Sequence, residues 1–306
     1  MNQAPGLVVI IILNMNKKDD TLKCLESVFK LDYRPIEVVV VDNGSTDGSV
    51  EAITRAFPGV HLIKSSKNLG ASGGRNLGIR YAKDNFIYEY LFFIDNDTVV
   101  EDASLKNLVL ALKEDKQAGF AFPKAYVEFP SNVIMSVGIH VNLYTGSIYD
   151  IGAGEVDHGQ YNRSRYNEAC GAFGFLAKRD VFSTVECFDE IFNPYGWEEV
   201  DLSIRARKLG FKILYVPEAI IYHKGGKIGR GFALQDYEKY KVRNYLILMK
   251  RHTNRIQWLS FISLIPYRVI IFVIKELYMG NYRIVLAQIR GFLEALKKQI
   301  AVRTKL

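Results

Sequence analysis

The chain has 306 residues, which is too long for one ordinary small domain and short for three. Its 49% of apolar and 24% of charged residues are enough to build a sizeable core and exclude a disordered protein. The net charge of +7 is uneven, because residues 250–306 hold 11 Lys and Arg against 2 Asp and Glu and the rest is close to neutral. This distribution argues against uniform coating of nucleic acid, and we expect no nucleic-acid partner.

The three cysteines, Cys24, Cys170 and Cys187, are odd in number and lack Cys-x-x-Cys spacing. A disulfide framework and a structural zinc site are therefore not expected, and the pattern is typical of a reducing, cytoplasmic compartment. The apolar run near the N-terminus has no basic residue before it and no small-residue cleavage site. We interpret it as a buried strand and not as a signal peptide.

The first hundred residues alternate between predicted strands and predicted helices. The strands are Leu7–Leu13, Glu37–Val41, Val60–Ile63 and Tyr90–Ile94, and the helices are Asp19–Leu31, one from about Gly48, and one that follows the glycine-rich stretch Asn68–Gly78 towards Ala82. Continuous apolar strands that alternate with helices indicate an α/β fold with a parallel central sheet and flanking helices.

The alternation is lost after about Ala118. Residues Tyr126–Glu168 are rich in Gly, Tyr, Ser and Asn and predict loops and short antiparallel strands. Later elements are a helix within Asn193–Gly210 and strands near Ile213–Val216 and Ile220–His223. We predict one domain over residues 1–243, with two halves that meet near residue 118, and a basic, apolar helical tail over residues 244–306.

Two acidic side chains follow the predicted strand Tyr90–Ile94, in the turn Asp95-Asn96-Asp97. Parallel sheets bind ligands at the carboxyl ends of their strands. Carboxylates one residue apart can reach one Mg²⁺ or Mn²⁺ ion that also takes oxygens from a substrate diphosphate. The alternative is an ordinary turn, since turns are rich in Asp and Asn.

Two further turns offer ligand-binding groups. Asp42, at the end of the second strand, can accept the N–H of a pyrimidine ring, while Asp47 or Thr46 caps the next helix. In the stretch from Asn68 to Asn76 the glycines allow close backbone approach to a ligand, and Arg75 adds a fixed charge. The alternative for this stretch is a helix start that is packed through its glycines.

Three acids in four residues, Glu198, Glu199 and Asp201, stand beside the aromatic Tyr195 and Trp197 and offer a candidate general base. The alternative is a helix start enriched in acids to suit its dipole. The i, i+4 spacing from Asp201 to Arg205 predicts a structural ion pair for Asp201.

Among the five histidines, His223 stands at the end of an apolar run next to glycines. A neutral imidazole in that place suits Mn²⁺, and the alternative is a structural histidine.

In their order and spacing these elements resemble the family 2 glycosyltransferases with a GT-A fold, over most of the chain up to about residue 226. The most specific motifs are Val41-Asp42-Asn43-Gly44-Ser45-Thr46-Asp47, Asn68-Leu69-Gly70 with Gly74-Arg75-Asn76, and Glu198-Glu199-Val200-Asp201-Leu202 through Tyr215-Val216-Pro217-Glu218 to His223. Within the family the chain is most similar to the rhamnosyltransferase-type branch that builds bacterial surface polysaccharides.

The resemblance implies a role for each matching residue. Donor-binding roles fall on Asn14, Asp42, Asn68, Gly70, Arg75, Asp95 and Asn96, with Asp42 on the uracil or thymine. Metal-binding roles fall on Asp95, Asp97 and His223, which would hold Mg²⁺ or Mn²⁺ on the diphosphate. Glu199 matches the family's catalytic base at a position where Asp is commoner, and Glu198 stays the alternative. Cys170-Gly171-Ala172 matches a stretch that borders the acceptor site.

The implied reaction is an inverting transfer of a sugar from a dTDP- or UDP-linked donor, with rhamnose as one candidate. The acceptor is a hydroxyl of a growing surface glycan or of a lipid-linked saccharide. The implied nucleotide-binding half covers about residues 1–118 and the acceptor half about residues 119–243.

Two other functions are weighed against this one. A sugar-1-phosphate nucleotidyltransferase would carry a glycine-rich loop after the first strand, and Asn14–Asp19 contains no glycine. A non-catalytic glycan-assembly subunit would not need the acids Asp95, Asp97 and Glu199.

The tail combines an apolar run with an amphipathic stripe. Ile256–Ile274 carries one charge, Arg268, and one proline, Pro266. The stripe consists of Val285, Ile289, Phe292, Leu293, Leu296 and Ile300. We expect helices that lie on the anionic inner face of the cell membrane; packing on the core or on a second subunit, and a spanning helix, are the alternatives.

Overall fold

The computed structural model describes residues 6–225 and 234–303. The described residues form two compact units. The sheet unit comprises residues 6–140, 149–193 and 198–225, and the helical unit comprises residues 141–148, 194–197 and 234–303. The domain boundary that the sequence predicts after residue 243 lies within a helix of the helical unit, Leu234–His252, and the division into domain and tail stays a prediction.

The strands alternate with helices over the first hundred residues. The strands are β1 (Val8–Asn14), β2 (Ile36–Asp42), β3 (His61–Lys64), β4 (Tyr90–Asp95), β5 (Thr98–Val100), β6 (Ala118–Val127), β7 (Ile134–Ser136), β8 (Ile139–Asn142), β9 (Ser147–Asp150), β10 (Arg165–Asn167), β11 (Gly174–Lys178) and β12 (Lys212–His223). The helices are α1 (Lys18–Lys30), α2 (Ser49–Ala56), α3 (Gly70–Asn85), α4 (Ser104–Glu114), α5 (Arg179–Thr184), α6 (Glu198–Lys208), α7 (Leu234–His252), α8 (Arg255–Tyr278) and α9 (Tyr282–Arg303). A 3₁₀ turn covers Glu190–Phe192.

The main sheet has the strand order β10-β12-β6-β11-β4-β1-β2-β3. The run β4-β1-β2-β3 is parallel, and so is the pair β6 and β12, while β11 lies antiparallel between β4 and β6. The predicted α/β fold with a mainly parallel central sheet is confirmed. The short strands β7 to β10 occupy the region where the sequence predicts loops and antiparallel pieces.

The core of the sheet unit forms around β1 and β4, whose apolar residues are buried on both faces. Val8 to Ile12 are at most 1% exposed, and each such side chain stabilises the fold by about 1.5–3 kcal/mol. Helix α3 packs closely on these strands because it carries glycines. A Cβ at Gly78 would lie 2.7 Å from Cγ2 of Ile11, so the glycines serve packing, as one of the two alternatives expects.

The predicted helix within Asn193–Gly210 is present as α6, which begins at Glu198 because Gly196 and Trp197 have φ of 98° and 73°, which no α-helix accepts. Two sequence predictions need correction. The two strands near residues 213 and 220 are one strand, β12, with a register shift at Pro217, which has no N–H for the ladder. The long strand β6, which begins at Ala118, is missing from the prediction.

The helical unit is built from α7, α8 and α9. Its small core contains Leu246, Met249, Phe261 and Ala295. Asn254 and Gln257 start α8 with a reciprocal capping box, and Pro266 lies inside α8.

Within the described residues, α8 is one helix that is long and apolar enough to cross a membrane, and 6% of its most apolar window is buried. Helix α9 carries the predicted stripe, in which Ile289, Phe292, Leu293 and Leu296 are exposed. Ile300 lies outside the side chains that the structure describes.

Candidate active site

The candidate residues of the first hundred positions lie at the carboxyl edge of the sheet. Asn14 ends β1 and Asp42 ends β2, and the two are register partners. Asp95 ends β4, the neighbour of β1 on its other side. Since parallel strands end at the same edge, three predicted site residues come together there, at the place where such sheets bind ligands.

A buried hydrogen-bond network fixes this edge. Nδ2 of Asn14 donates to Oδ1 of Asp42 at 2.8 Å, and Oδ1 of Asn14 accepts from Oγ1 of Thr21 at 2.8 Å and from Nδ2 of Asn96 at 3.1 Å. Oδ2 of Asp42 accepts the backbone N–H of Ser45 at 2.9 Å. Asn14 is completely buried, so β1, β2, α1 and the Asp95–Asp97 turn share one rigid centre. Thr21 is absent from the sequence prediction.

The glycine-rich stretch is held within the chain. Oδ1 of Asn68 accepts from Nδ2 of Asn43 at 3.0 Å and from the N–H of Gly70 at 2.8 Å. The N–H groups of Ser72 and Gly73, in the first turn of α3, donate to Oδ1 of Asn193 at 3.1 and 3.4 Å. The sequence analysis missed Asn193, because it lies 120 residues after Gly73 and no local sequence pattern indicates this contact.

The three predicted metal ligands meet in one cluster. Nε2 of His223 lies 2.9 Å from Oδ1 of Asp97 and 3.6 Å from Oδ2 of Asp95. One ligand atom from each residue lies within 4.8 Å of the others. The cluster forms because β12 pairs with β5, which places His223 opposite Thr98, next to Asp97. The His223 ring stacks on Phe173 at 5.3 Å, so its orientation is fixed.

The donor set of this cluster fits Mg²⁺ or Mn²⁺. Two carboxylates and one imidazole at a sheet edge leave coordination positions for the oxygens of a diphosphate. Asp97 and His223 are buried, and Asp95 is half-buried. A divalent cation bound there would balance the negative charges of the two buried carboxylates, and the three side chains would serve as its ligands.

Arg75 links this cluster to the acids of α6. Its Nη2 donates to Oδ1 of Asp95 at 3.1 Å, and its Nη1 donates to Oε1 of Glu198 at 2.9 Å. Arg75 is 6% exposed. Burial alone would lower its pKa, but Asp95, Glu198 and Glu199 together raise the pKa of Arg75 above its usual value. One buried guanidinium therefore ties the candidate metal site to the candidate base.

Glu198 and Glu199 stand in different environments. Glu198 is buried and its Oε1 forms the ion pair with Arg75, while Oε2 of each glutamate is buried without a hydrogen-bond partner in residues 6–225 and 234–303. Burial and the Glu198 carboxylate raise the pKa of Glu199 to about 8, with Asp95 adding to the rise and Arg75 opposing it. A general base works best when its pKa lies near the operating pH, and carboxyls with strongly raised pKa values cluster at functional sites.

The rest of α6 is structural in character. Asp201 is completely buried and pairs with Nε of Arg205 at 2.8 Å, as their spacing predicts. Oγ of Ser203 donates to the carbonyl of Glu199 and accepts the N–H of Cys170 at 3.2 Å. The Cys170 stretch is thereby attached to the helix that carries the two glutamates.

A cavity of about 870 Å³ borders the cluster on the side of α1 and β5. Asp97 lines it together with Lys23, Glu26, Tyr222 and others, and Lys224 pairs across it with Asp20 at 2.9 Å. Glu198 and Glu199 are not among its lining residues.

Comparison with known proteins assigns the class. The profile described as "Glycosyl transferase family 2" matches residues 9–167, and the chain belongs to this family. It is 27% identical over 252 residues to the N-acetylglucosaminyl-diphospho-decaprenol L-rhamnosyltransferase of Mycobacterium tuberculosis, which covers 75% of this chain and 80% of that protein. The predicted family is confirmed, and this relative agrees with the predicted branch.

Solved structures show the fold. GalNAc-T7 with UDP, GalNAc and Mn²⁺ superposes with a TM-score of 0.64 at 16% identity, over 81% of this chain and 48% of that longer chain. The mannosyltransferase PcManGT from Pyrobaculum calidifontis, in complex with GDP-Man and Mn²⁺, superposes with a TM-score of 0.58 at 15% identity, over 96% of this chain and 76% of that one. The chain has the predicted GT-A fold.

Proposed function

We propose that the protein is a metal-dependent inverting glycosyltransferase that moves a sugar from a nucleoside-diphosphate donor to a hydroxyl of a growing surface glycan or lipid-linked acceptor. One observation carries the proposal: Arg75 joins the cluster of Asp95, Asp97 and His223 to Glu198. The adjacent Glu199 has a buried oxygen, Oε2, with no hydrogen-bond partner in the part of the chain that the structure describes. The reaction requires stabilisation of the leaving group and removal of a proton from the acceptor. The cluster of metal ligands can meet the first requirement and the glutamates the second.

Asp95, Asp97 and His223 are the proposed ligands of Mg²⁺ or Mn²⁺. A divalent cation held there would neutralise charge on the departing diphosphate. Arg75 limits the freedom of Asp95, so the ligand oxygens keep their spacing as the donor binds. Relatives of the same fold were solved with Mn²⁺, which supports the choice of ion.

Glu199 is the proposed base. It accepts the proton of the acceptor hydroxyl as that oxygen bonds to the anomeric carbon, and a single displacement inverts this carbon. Glu198 shares its negative charge with Arg75, so Glu199 is the less compensated of the two carboxylates and the better proton acceptor. For this reason we propose Glu199, and not Glu198, as the base.

The nucleotide is proposed to bind over the ends of β1 and β2. Asp42 and Asn14 form the floor together with Asn96, while Asn68 and Gly70 form the adjoining wall. The internal bonds of these residues preorganise the floor, and each carboxylate oxygen of Asp42 keeps a further lone pair for a base N–H. We propose a dTDP- or UDP-linked donor, with rhamnose as the first sugar to test because of the rhamnosyltransferase relative.

A lipid-linked acceptor agrees with the helical unit. The rhamnosyltransferase of Mycobacterium tuberculosis is named for the acceptor N-acetylglucosaminyl-diphospho-decaprenol, which is a lipid-linked saccharide. In this chain, α8 exposes Ile270, Ile271 and Ile274 at 58%, 48% and 63%, and α9 exposes Ile289 and Phe292. Apolar side chains beside many Lys and Arg fit an anionic membrane surface. We propose that the protein binds peripherally to the inner face of the cell membrane through α8 and α9.

Turnover with a panel of UDP-, dTDP- and GDP-sugars, a membrane extract as acceptor source and Mn²⁺ tests the function. A preceding thermal-shift screen selects the donor, since a ligand at 100 times its Kd stabilises the fold by about 2.7 kcal/mol. We expect one donor class to raise the melting temperature in a Mn²⁺-dependent manner and to release its nucleoside diphosphate. Full turnover in excess EDTA, or release of pyrophosphate in place of a nucleoside diphosphate, contradicts the proposal.

A further inference from the structure

Helix α3 takes its cap from a distant part of the sheet unit. Its own N-cap position is Leu69, whose aliphatic side chain cannot accept a hydrogen bond. The N–H groups of a first helical turn have no partner within the helix and need an acceptor from elsewhere. For Ser72 this acceptor is Oδ1 of Asn193 at 3.1 Å, which also lies 3.4 Å from the backbone nitrogen of Gly73. Asn193 therefore caps α3 from 120 residues further along the chain, within the same unit.

Gly70 makes room for this cap. Its φ of +75° is a conformation that favours glycine, and a Cβ at this position would collide with the side chain of Asn193. The glycine to which the sequence assigns a role in donor binding thus also allows the close contact between the start of α3 and Asn193.

Asn76 fixes the other end of the same segment, residues 188–193, to α3. Its Nδ2 donates to the carbonyl of Phe188 at 2.9 Å, and its Oδ1 accepts the N–H of Phe188 at 3.0 Å. Asn76 and Phe188 are 4% and 3% exposed. Both backbone groups of a buried residue are thereby paired by one side chain, which leaves neither of them without a partner. The 188–193 segment is therefore bound to the first two turns of α3 at both of its ends.

Arg75 lies at the centre of these contacts. It precedes Asn76 in α3, and its Cζ lies 5.6 Å from the centre of the Phe188 ring. The same guanidinium bonds to Asp95 at 3.1 Å and to Glu198 at 2.9 Å. Arginine loses much rotamer freedom when it is ordered in this way. It reaches both carboxylates at once only while its own backbone and the ring beside it keep their places.

We propose that Asn76 and Asn193 are positioning residues, because they dock the 188–193 segment on α3 and so hold Arg75 in the bridge between the proposed metal ligands and the glutamates of α6. This inference rests on the proposed function, which gives the two ends of that bridge their roles. A misplacement of about 1 Å can cost about 10²-fold in rate. The two asparagines therefore act on the reaction through the guanidinium of Arg75.

Asn193→Leu tests the inference, because leucine has a similar shape and lacks the acceptor oxygen. We expect kcat/KM to fall about 10- to 100-fold in this variant and in Asn76→Leu. Asn193→Asp keeps an acceptor oxygen at the start of α3, where a negative charge is also favourable, and should stay within about threefold of the wild type.

Asn107→Leu is the matched control. Asn107 of α4 is half-buried like Asn193, and its Nδ2 donates to the carbonyl of Glu218 at 2.7 Å. The variant therefore removes a side-chain bond between a helix and a distant segment elsewhere in the sheet unit, and it should keep the wild-type kcat/KM.

A double-mutant cycle with Arg75→Lys shows whether the effect depends on the guanidinium. Lysine keeps the positive charge that the buried acids need, but it cannot bond to two carboxylates in a fixed fork. We expect Arg75→Lys to lower kcat/KM about 10- to 100-fold as well. Asn193→Leu should then cost less than about threefold when it is added to Arg75→Lys, because substitutions that act through one another are not additive.

Three outcomes overturn the inference: wild-type kcat/KM in both leucine variants of the asparagines, full additivity with Arg75→Lys, or an equal loss in Asn107→Leu. All variants are assayed well below their measured melting temperatures, and Asn193→Ala takes the place of Asn193→Leu if the leucine variant does not fold. Asp97→Ala is measured in parallel. Normal turnover in that variant contradicts the proposed metal-dependent reaction itself, whereas an inactive Asp97→Ala beside additive asparagine variants refutes the positioning role alone.

Discussion

The sheet unit and the helical unit treat apolar side chains in opposite ways. In the sheet unit Val8 to Ile12 and Leu91 to Phe93 are at most 1% exposed. In the helical unit Ile270, Ile274 and Tyr278 are 58%, 63% and 93% exposed, on a helix of strongly apolar sequence. The apolar strands of the sheet unit are thus shielded from water by the unit itself. Helix α8 leaves a large apolar surface exposed, and on soluble proteins such a surface marks an interaction site.

The units also differ in where they place charge. The sheet unit buries Arg75, Asp97 and Glu198, although each buried charge costs stability unless it is paired. Such buried charges cluster at functional sites. In both units, then, the feature that is unfavourable for folding lies where we propose a function: buried charges in one unit and exposed apolar side chains in the other.

The strongest test of this contrast is Asp97→Ala, which removes one of the three proposed metal ligands, Asp95, Asp97 and His223. We expect turnover to fall by at least about 10³-fold, because loss of metal chemistry costs several kcal/mol and each 1.4 kcal/mol is tenfold. Mn²⁺-dependent donor binding should weaken in calorimetry, while sedimentation with liposomes stays at the wild-type level. Normal turnover of Asp97→Ala refutes the metal role of Asp97. Loss of liposome binding in this variant refutes the proposal that membrane binding depends on the helical unit and not on the catalytic site.

The next largest effect is expected for Glu199→Gln, which keeps the shape of the side chain and removes its basicity. We predict that kcat falls by about 10²–10⁴-fold and that the donor Kd is unchanged, since the nucleotide floor is untouched. Calorimetry and release of nucleoside diphosphate measure the two quantities. Glu198→Gln serves as the comparison, and a larger loss of kcat in that variant would move the role of the base one residue upstream.

Glu199 should also make the sheet unit less stable in alkaline solution. Its pKa is raised from 4.5 to about 8 by folding, so the folded protein keeps a proton that the unfolded chain loses between these pH values. Stability contributed by the protonated carboxyl is therefore complete below pH 4.5 and is lost as the pH rises to about 8. We expect Glu199→Gln to melt above the wild type at pH 8.5 and to approach it at pH 4.5. Equal melting temperatures at both pH values contradict the raised pKa.

The sequence predicts the strand-end residues well, because their position follows from local pattern. Asp95 follows a buried apolar run, so its place at the sheet edge can be read without tertiary information. Arg75 is different. Its identity as a site residue comes from the family motif, but its partner Glu198 is 123 residues away, and no local pattern indicates that contact.

The same reasoning explains the unpredicted features near α6. Trp197, directly before α6, has a positive φ. A tryptophan in the sequence does not indicate such a backbone conformation. The choice between Glu198 and Glu199 depends on which carboxylate Arg75 reaches, and adjacent residues of the same type cannot be distinguished by pattern. The apolar tail is visible in the sequence, whereas its exposure follows from packing, because a buried core helix would have the same composition.

The smallest of the expected effects concerns the apolar surface of α8. Ile270 and Ile274 lie one turn apart, and both are more than half exposed. Glutamate at either position would place a charge in the bilayer interface and repel anionic lipid, so we expect Ile270→Glu/Ile274→Glu to lower binding to vesicles of anionic phospholipid by at least about tenfold. Higher salt should weaken wild-type binding as well, since charges are screened within about 8 Å at physiological ionic strength.

The matched control for that surface is Ile87→Glu, because Ile87 of the sheet unit is 91% exposed and lies outside the helical unit. It introduces the same charge on an exposed isoleucine and should leave vesicle binding unchanged. Turnover with a water-soluble acceptor is expected to stay at the wild-type level in the α8 variant, because both isoleucines belong to the helical unit whereas the proposed metal ligands and base belong to the sheet unit. If wild-type protein ignores anionic vesicles at low salt, and sedimentation equilibrium instead shows a dimer that the α8 substitutions dissociate, then the exposed isoleucines bind a second copy of the chain and not a membrane.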